Sequence, residues 1–161
     1  MSNLSHAQKT ELLAKMCQYI PHSRMQGIRL HQLEDNEVTL CLPYREELVG
    51  NPDNGAIHGG ALTVLLDQCL GIAGIADDRV GAHITPTLDM RIDHLGISPG
   101  DSHIYAAARV YRATDRVAFV EGIAWAESRD RPIARACGSW VIMRDVDLVD
   151  VLKDVPTGEI P

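Results

Sequence analysis

The spacing of apolar residues changes twice along the chain. Across residues 5–20, Leu12, Leu13, Met16, Cys17 and Ile20 recur at helical spacing. Ser5, with Gln8 three positions on, forms a capping box in front of them, and Pro21 is expected to stop the helix. The period then falls to two, with Ile28 and Leu30 on one strand and Val38, Leu40 and Leu42 on the next. Asp35-Asn36 supplies the turn between them. Periodicity lapses over residues 44–58, where Gly50, Asn51, Pro52, Asn54 and Gly55 mark a loop. From Gly60 about 18 residues are apolar nearly all round, as in a helix buried on most faces. Four strands follow, over about 83–95, 102–113, 117–127 and 133–144. Their short connections imply antiparallel neighbours. The last residues, 145–161, are acidic, contain Pro156 and Pro161, and are expected to run over the surface.

This pattern predicts an α+β fold with an antiparallel sheet. One face of the third of these strands carries Ala118, Val120, Gly122, Ala124 and Ala126, and Ala106, Ala108, Ala134 and Ala136 extend it on the neighbouring strands. Small side chains let something bulky approach the sheet closely, and the apolar helix is the obvious candidate.

Composition narrows the function classes. A chain of 161 residues suits one domain, and 45% hydrophobic with 23% charged residues is globular. A net charge of −7 is a poor match to nucleic-acid backbones. The most apolar stretch, residues 60–76, falls short of the ~20 residues of a membrane span and holds Asp67 at its centre. The first residues lack a basic, apolar leader pattern. Cys17, Cys41, Cys69 and Cys137 form no CxxC pair and read as reduced, mostly buried thiols of a cytoplasmic protein. The histidines lack ligand spacing, so no metal is expected. Arg109, Arg112 and Arg116 are candidates for phosphate contacts, with solvated surface charge as the plainer alternative.

Chemistry concentrates at His58-Gly59-Gly60 and Asp67. Gly59 and Gly60 open the apolar helix, where backbone N–H groups are free and the dipole end is positive. A carbonyl under nucleophilic attack gains negative charge, and such amides would stabilise it, with glycine permitting close approach. Asp67 is a carboxylate in an apolar helix, costly unless solvated or paired. It could act as general base toward water or as a direct nucleophile. His58 could order the loop or touch the substrate. Gly60, Thr63, Asp67, Gly71 and Gly74 form a small or polar stripe at helical steps, which leaves room for a substrate arm or for a second helix.

The segment from Asn51 through Gly55 and His58-Gly59-Gly60 to Asp67, nine residues after the histidine, resembles the signature of hotdog acyl-CoA thioesterases of the phenylacetyl-CoA type. The resemblance spans about residues 24–144 and includes the strand Leu88-Asp89-Met90-Arg91-Ile92. It implies a hotdog fold, a curved antiparallel sheet wrapped around a central helix, here with an extra helix at about 5–20. The implied reaction is hydrolysis of an acyl-CoA thioester to free acid and CoA. Coenzyme A would enter as part of the substrate, and no cofactor is expected. The family's Asn lies one position nearer the His, where this chain has Pro52; either Asn51 reaches the site through a one-residue insertion or Asn54 substitutes for it. Thr87 matches, by register, a Ser or Thr that orients the water.

Gly59 and Asp67 are eight residues apart, about 12 Å along one helix. They cannot easily serve one carbonyl. An antiparallel two-fold mate would bring Gly59 of one chain near Asp67 of the other, and the resemblance likewise implies paired sites in a homodimer, or in a tetramer built from it. The alternative function is a non-catalytic acyl-CoA-binding or sensing module of the same fold, although a pure binder gains nothing from a costly acid at position 67.

Overall fold

A computed structural model describes residues 4–155. Helix α1 (His6–Tyr19) starts on the anticipated capping box, with Ser5 and Gln8 each bonding the other's backbone N–H. Pro21 does not simply end it. It opens a second short helix, α2 (Pro21–Met25), at a position where its missing N–H costs nothing. Strands β1 (Arg29–Glu34) and β2 (Glu37–Leu42) form the hairpin. Asp35 and Asn36 both have positive φ, the geometry of a two-residue type I′ turn.

The segment 44–58, expected as a loop, is more ordered than that. It contains a 3-10 turn (Glu46–Leu48) and a small ribbon of β3 (Val49–Asn51) and β4 (Ala56–Ile57). Helix α3 (Gly59–Ala76) follows directly. Then come β5 (His83–Ile84), β6 (Thr87–His94), β7 (Ile104–Ala113), β8 (Val117–Trp125), β9 (Ala134–Val141) and β10 (Met143–Asp147), and finally α4 (Leu148–Leu152).

Two expected strands are each divided. The strand over 83–95 breaks at Thr85-Pro86, because proline has no ladder N–H and constrains the residue before it. The strand over 133–144 breaks at Ile142, whose N–H turns to the carbonyl of Arg116. The outer pieces, β5 and β10, pair with each other as a separate ribbon.

The main sheet has the order β1-β2-β7-β8-β9-β6 and is antiparallel throughout. It wraps α3, which makes this a hotdog fold. By length and composition α3 could cross a membrane, yet the sheet surrounds it and most of its residues are buried. The small-residue face performs its expected task. Ala106, Ala108, Ala118, Ala124 and Ala134 are fully buried, and a Cβ at Gly122 would come within 3.0 Å of Leu70 on α3. Bulkier residues there would push the helix off the sheet.

The acidic tail departs from expectation. Residues 143–152 form β10 and α4, and Leu148 and Leu152 are buried in the core. Pro156 and Pro161 lie outside the described residues.

Candidate active site

His58 is the N-cap of α3, and its Nδ1 accepts the Gly60 N–H at 2.9 Å. An accepting Nδ1 places the neutral ring's proton on Nε2. His58 is itself anchored, its N–H donating to the Leu48 carbonyl at 2.8 Å. Gly50 packs so tightly on it that a Cβ there would lie 2.7 Å from the His58 Cα. Gly50, seen in the sequence only as a turn former, is what lets the β3–β4 ribbon set the start of α3.

This arrangement corrects the role expected of Gly60. Its N–H is already taken, and a Cβ there would sit 2.9 Å from His58 Nδ1. Glycine at 60 makes room for the histidine cap. The Gly59 N–H, by contrast, meets no acceptor among the described residues. The site therefore offers one unoccupied helix-start amide where the sequence suggested two. Beside it stands His94, at the end of β6, whose Cε1 would be 3.6 Å from a Cβ at Gly59. In the sequence His94 is only one of the histidines without ligand spacing, because nothing local links residues 35 positions apart.

Asp67 lies two turns along α3 and is half-buried. Thr87, the first residue of β6, donates its hydroxyl to Asp67 Oδ1 at 2.7 Å. Together they contribute to the wall of a cavity of about 270 Å³. The rest of that wall is largely apolar, with Met16 from α1, Ile20 from the α1–α2 junction, Ile72 and Ile75 from α3, and Trp140 from β9. A carboxylate and a hydroxyl at an apolar cavity can hold and activate a water, or present an oxygen nucleophile to a carbonyl.

The other expected residues divide. Thr63 donates to the Gly59 carbonyl at 3.0 Å and so reinforces the first turn. Gly71 lines the cavity, while Gly74 faces Thr85, so the small stripe meets the β5–β6 connection here. Asn51 and Asn54 each spend their side-chain oxygen on their own loop, accepting from Asp53 N–H and Ala56 N–H, both at 3.0 Å. Neither asparagine is brought to Asp67. Arg109 is tied to Glu121 at 2.9 Å among the outward-facing residues of the sheet, away from α3. Cys17 and Cys69 are sealed in the core, with burial pushing the Cys17 thiol up to about 12, and Cys137 is exposed. Among the described residues no group of three or more His, Cys, Asp or Glu could hold a metal ion.

Comparison with known proteins agrees with this geometry. The family model described as "Thioesterase superfamily" matches residues 54–133, from the β3–β4 turn to the start of β9. A Pseudomonas aeruginosa protein of known structure is 32% identical, with 84% of this chain and 99% of that one covered, at a TM-score of 0.75. Zebrafish thioesterase superfamily member 2 is 17% identical over 87% of this chain and 99% of its own, at 0.71. The PaaI protein of the Escherichia coli phenylacetic acid degradation operon is 15% identical over 88% and 96%, also at 0.71. At such identities the last two speak for the fold alone. No significant match to a curated protein is found. With the helix-start glycines, the cavity-lining acid and the wrapped helix all inside the matched region or its fold, the chain belongs to the thioesterase superfamily.

Proposed function

We propose that this protein hydrolyses an acyl-CoA thioester to the free acid and CoA. The observation that carries the reading is the Thr87–Asp67 hydrogen bond at the wall of an apolar cavity. Asp67 acts as general base toward a water held with Thr87, or attacks the carbonyl directly, and Thr87 holds the carboxylate in place. The Gly59 N–H, at the positive end of α3, receives the developing oxyanion. His58 keeps that helix start in shape. The likeness of the 51–67 segment to enzymes of the phenylacetyl-CoA type supports an acyl group of modest size.

The working unit is a homodimer. Gly59 and Asp67 sit about 12 Å apart along α3, too far to share one carbonyl. Among the described residues strand β6 has one neighbour, β9, and an open edge, with Leu88 57% exposed upon it. An open edge with exposed apolar residues invites pairing. Two β6 edges joined about a two-fold would bring Gly59 of one protomer toward Asp67 of its mate. Such a protein is expected to be cytoplasmic.

The test is a panel of acyl-CoA substrates with detection of the released thiol. Turnover of any member by wild-type protein, lost in Asp67→Asn, supports the reading. Binding of acyl-CoA without thiol release across the panel sinks it in favour of a sensing module.

A further inference from the structure

Trp140 is 1% exposed and lines the cavity beside Asp67. Its indole N–H finds no acceptor among the described residues. Yet it is not sealed in the core, because the only sealed and unpartnered side-chain nitrogen or oxygen among those residues is Gln26 Oε1. The N–H thus reaches the cavity. It does so next to Gly71, where a Cβ would come 3.4 Å from Trp140 Nε1. The neighbouring Thr85 hydroxyl is already used, donating to the Gly71 carbonyl at 2.9 Å. A donor at the cavity surface is satisfied by water until a ligand displaces it. A ligand that supplies an acceptor there replaces that bond, and one that supplies none leaves the donor dry, at a cost.

Resting on the hydrolase reading above, we propose that the acyl group of the substrate is neutral and carries an oxygen acceptor that meets the Trp140 N–H across Gly71. Three features bound its chemistry. Indole N–H only donates, so the partner atom must accept. Among the described residues of the protomer, Asp67 is the only ionisable side chain of the cavity wall, so an anionic acyl group would meet repulsion there with no cation of that wall to offset it. Gly71 lies one helical turn beyond Asp67, about 6 Å, which places the acceptor roughly four or five bonds from the thioester carbonyl.

The test compares 4-methoxybutanoyl-CoA with hexanoyl-CoA, which have equal length and differ by one oxygen in place of a methylene. The readout is the ratio of the two kcat/KM values. Trp140→Phe, which removes the donor and keeps an aromatic ring, should lower that ratio by roughly ten-fold relative to wild type. Gly71→Ala, whose methyl group covers the indole nitrogen without altering the sheet, should lower it likewise and stands in if Trp140→Phe fails to fold. The affinities of the two corresponding non-hydrolysable thioethers, measured by titration calorimetry, give the same ratio without chemistry. An unchanged ratio in a folded variant overturns the acceptor proposal. Absence of hydrolysis by wild type, with a thioether affinity ratio that still falls in the variants, overturns the enzymatic reading and leaves the acceptor proposal standing.

Discussion

Thr87 and Asp67 are 20 residues apart and joined by a 2.7 Å hydrogen bond from the first residue of a strand to the middle of the central helix. Asp67→Asn keeps the shape but can neither accept a proton from water nor attack. A kcat loss of the order of 10²-fold or more is expected, with KM little changed. Thr87→Val retains the carboxylate and removes its tether, so a smaller loss, roughly ten-fold, is expected. Steady-state kinetics of the two variants check the order. A Thr87→Val variant more impaired than Asp67→Asn would move the chemistry to the threonine.

Gly59 and Gly60 should separate stability from activity. Gly60→Ala drives a methyl group into His58 Nδ1 and costs the cap, about 1 kcal/mol by analogy with other N-cap losses. Gly59→Ala meets only ordinary contact with His94, so it should fold normally. Its methyl group, however, fills the space beside the unoccupied amide and should lower kcat/KM at least ten-fold. Thermal melts and kinetics of both variants decide the matter. The opposite pattern would assign the oxyanion donor to Gly60.

Mixing variants tests the shared site. In a mixed dimer of Asp67→Asn and Gly59→Val chains, composite geometry puts both lesions in one site and neither in the other. Subunit exchange should restore up to about half of wild-type activity per mixed dimer on symmetry grounds. Sites built within single chains would each carry one lesion and stay inactive. Native mass spectrometry confirms that exchange has occurred.

Asp77, at the end of α3, should contribute to acid sensitivity. Burial raises its carboxyl pKa, but hydrogen bonds from the Arg79 side chain and backbone outweigh this and hold it below the ordinary 3.8. A carboxylate lowered in the folded state stabilises above its unfolded pKa, and that contribution is lost as pH falls through the folded value. The stability gap between wild type and Asp77→Asn should therefore be full near pH 6 and shrink below about pH 3.8. Urea midpoints across that range measure it. A gap independent of pH would mean that Asp77 acts through shape and not through charge.

The sequence by itself determined what short-range physics controls. The Ser5–Gln8 box, the Asp35-Asn36 turn, the small-residue face and the apolar helix opened by His58-Gly59-Gly60 each follow from side-chain size, turn preference and neighbouring hydrogen bonds. These sufficed for an α+β fold with an antiparallel sheet and an apolar helix against its small-residue face. The choice of the hotdog fold and the nomination of Thr87 rested on the family resemblance of the 51–67 segment and the strand after the helix. Tertiary structure alone decided which groups were already spent. Gly60 lost its N–H to His58, and Asn51 and Asn54 turned their oxygens into their own loop. Trp140, read in the sequence only as part of a strand, came to face Gly71 across a cavity. The tail, polar enough to suggest a surface course, docked through Leu148 and Leu152. Periodicity reports which face of an element is buried. It does not report which distant donor or acceptor meets that face, because that depends on how the sheet curves around α3 and brings residues far apart in the chain within hydrogen-bonding distance.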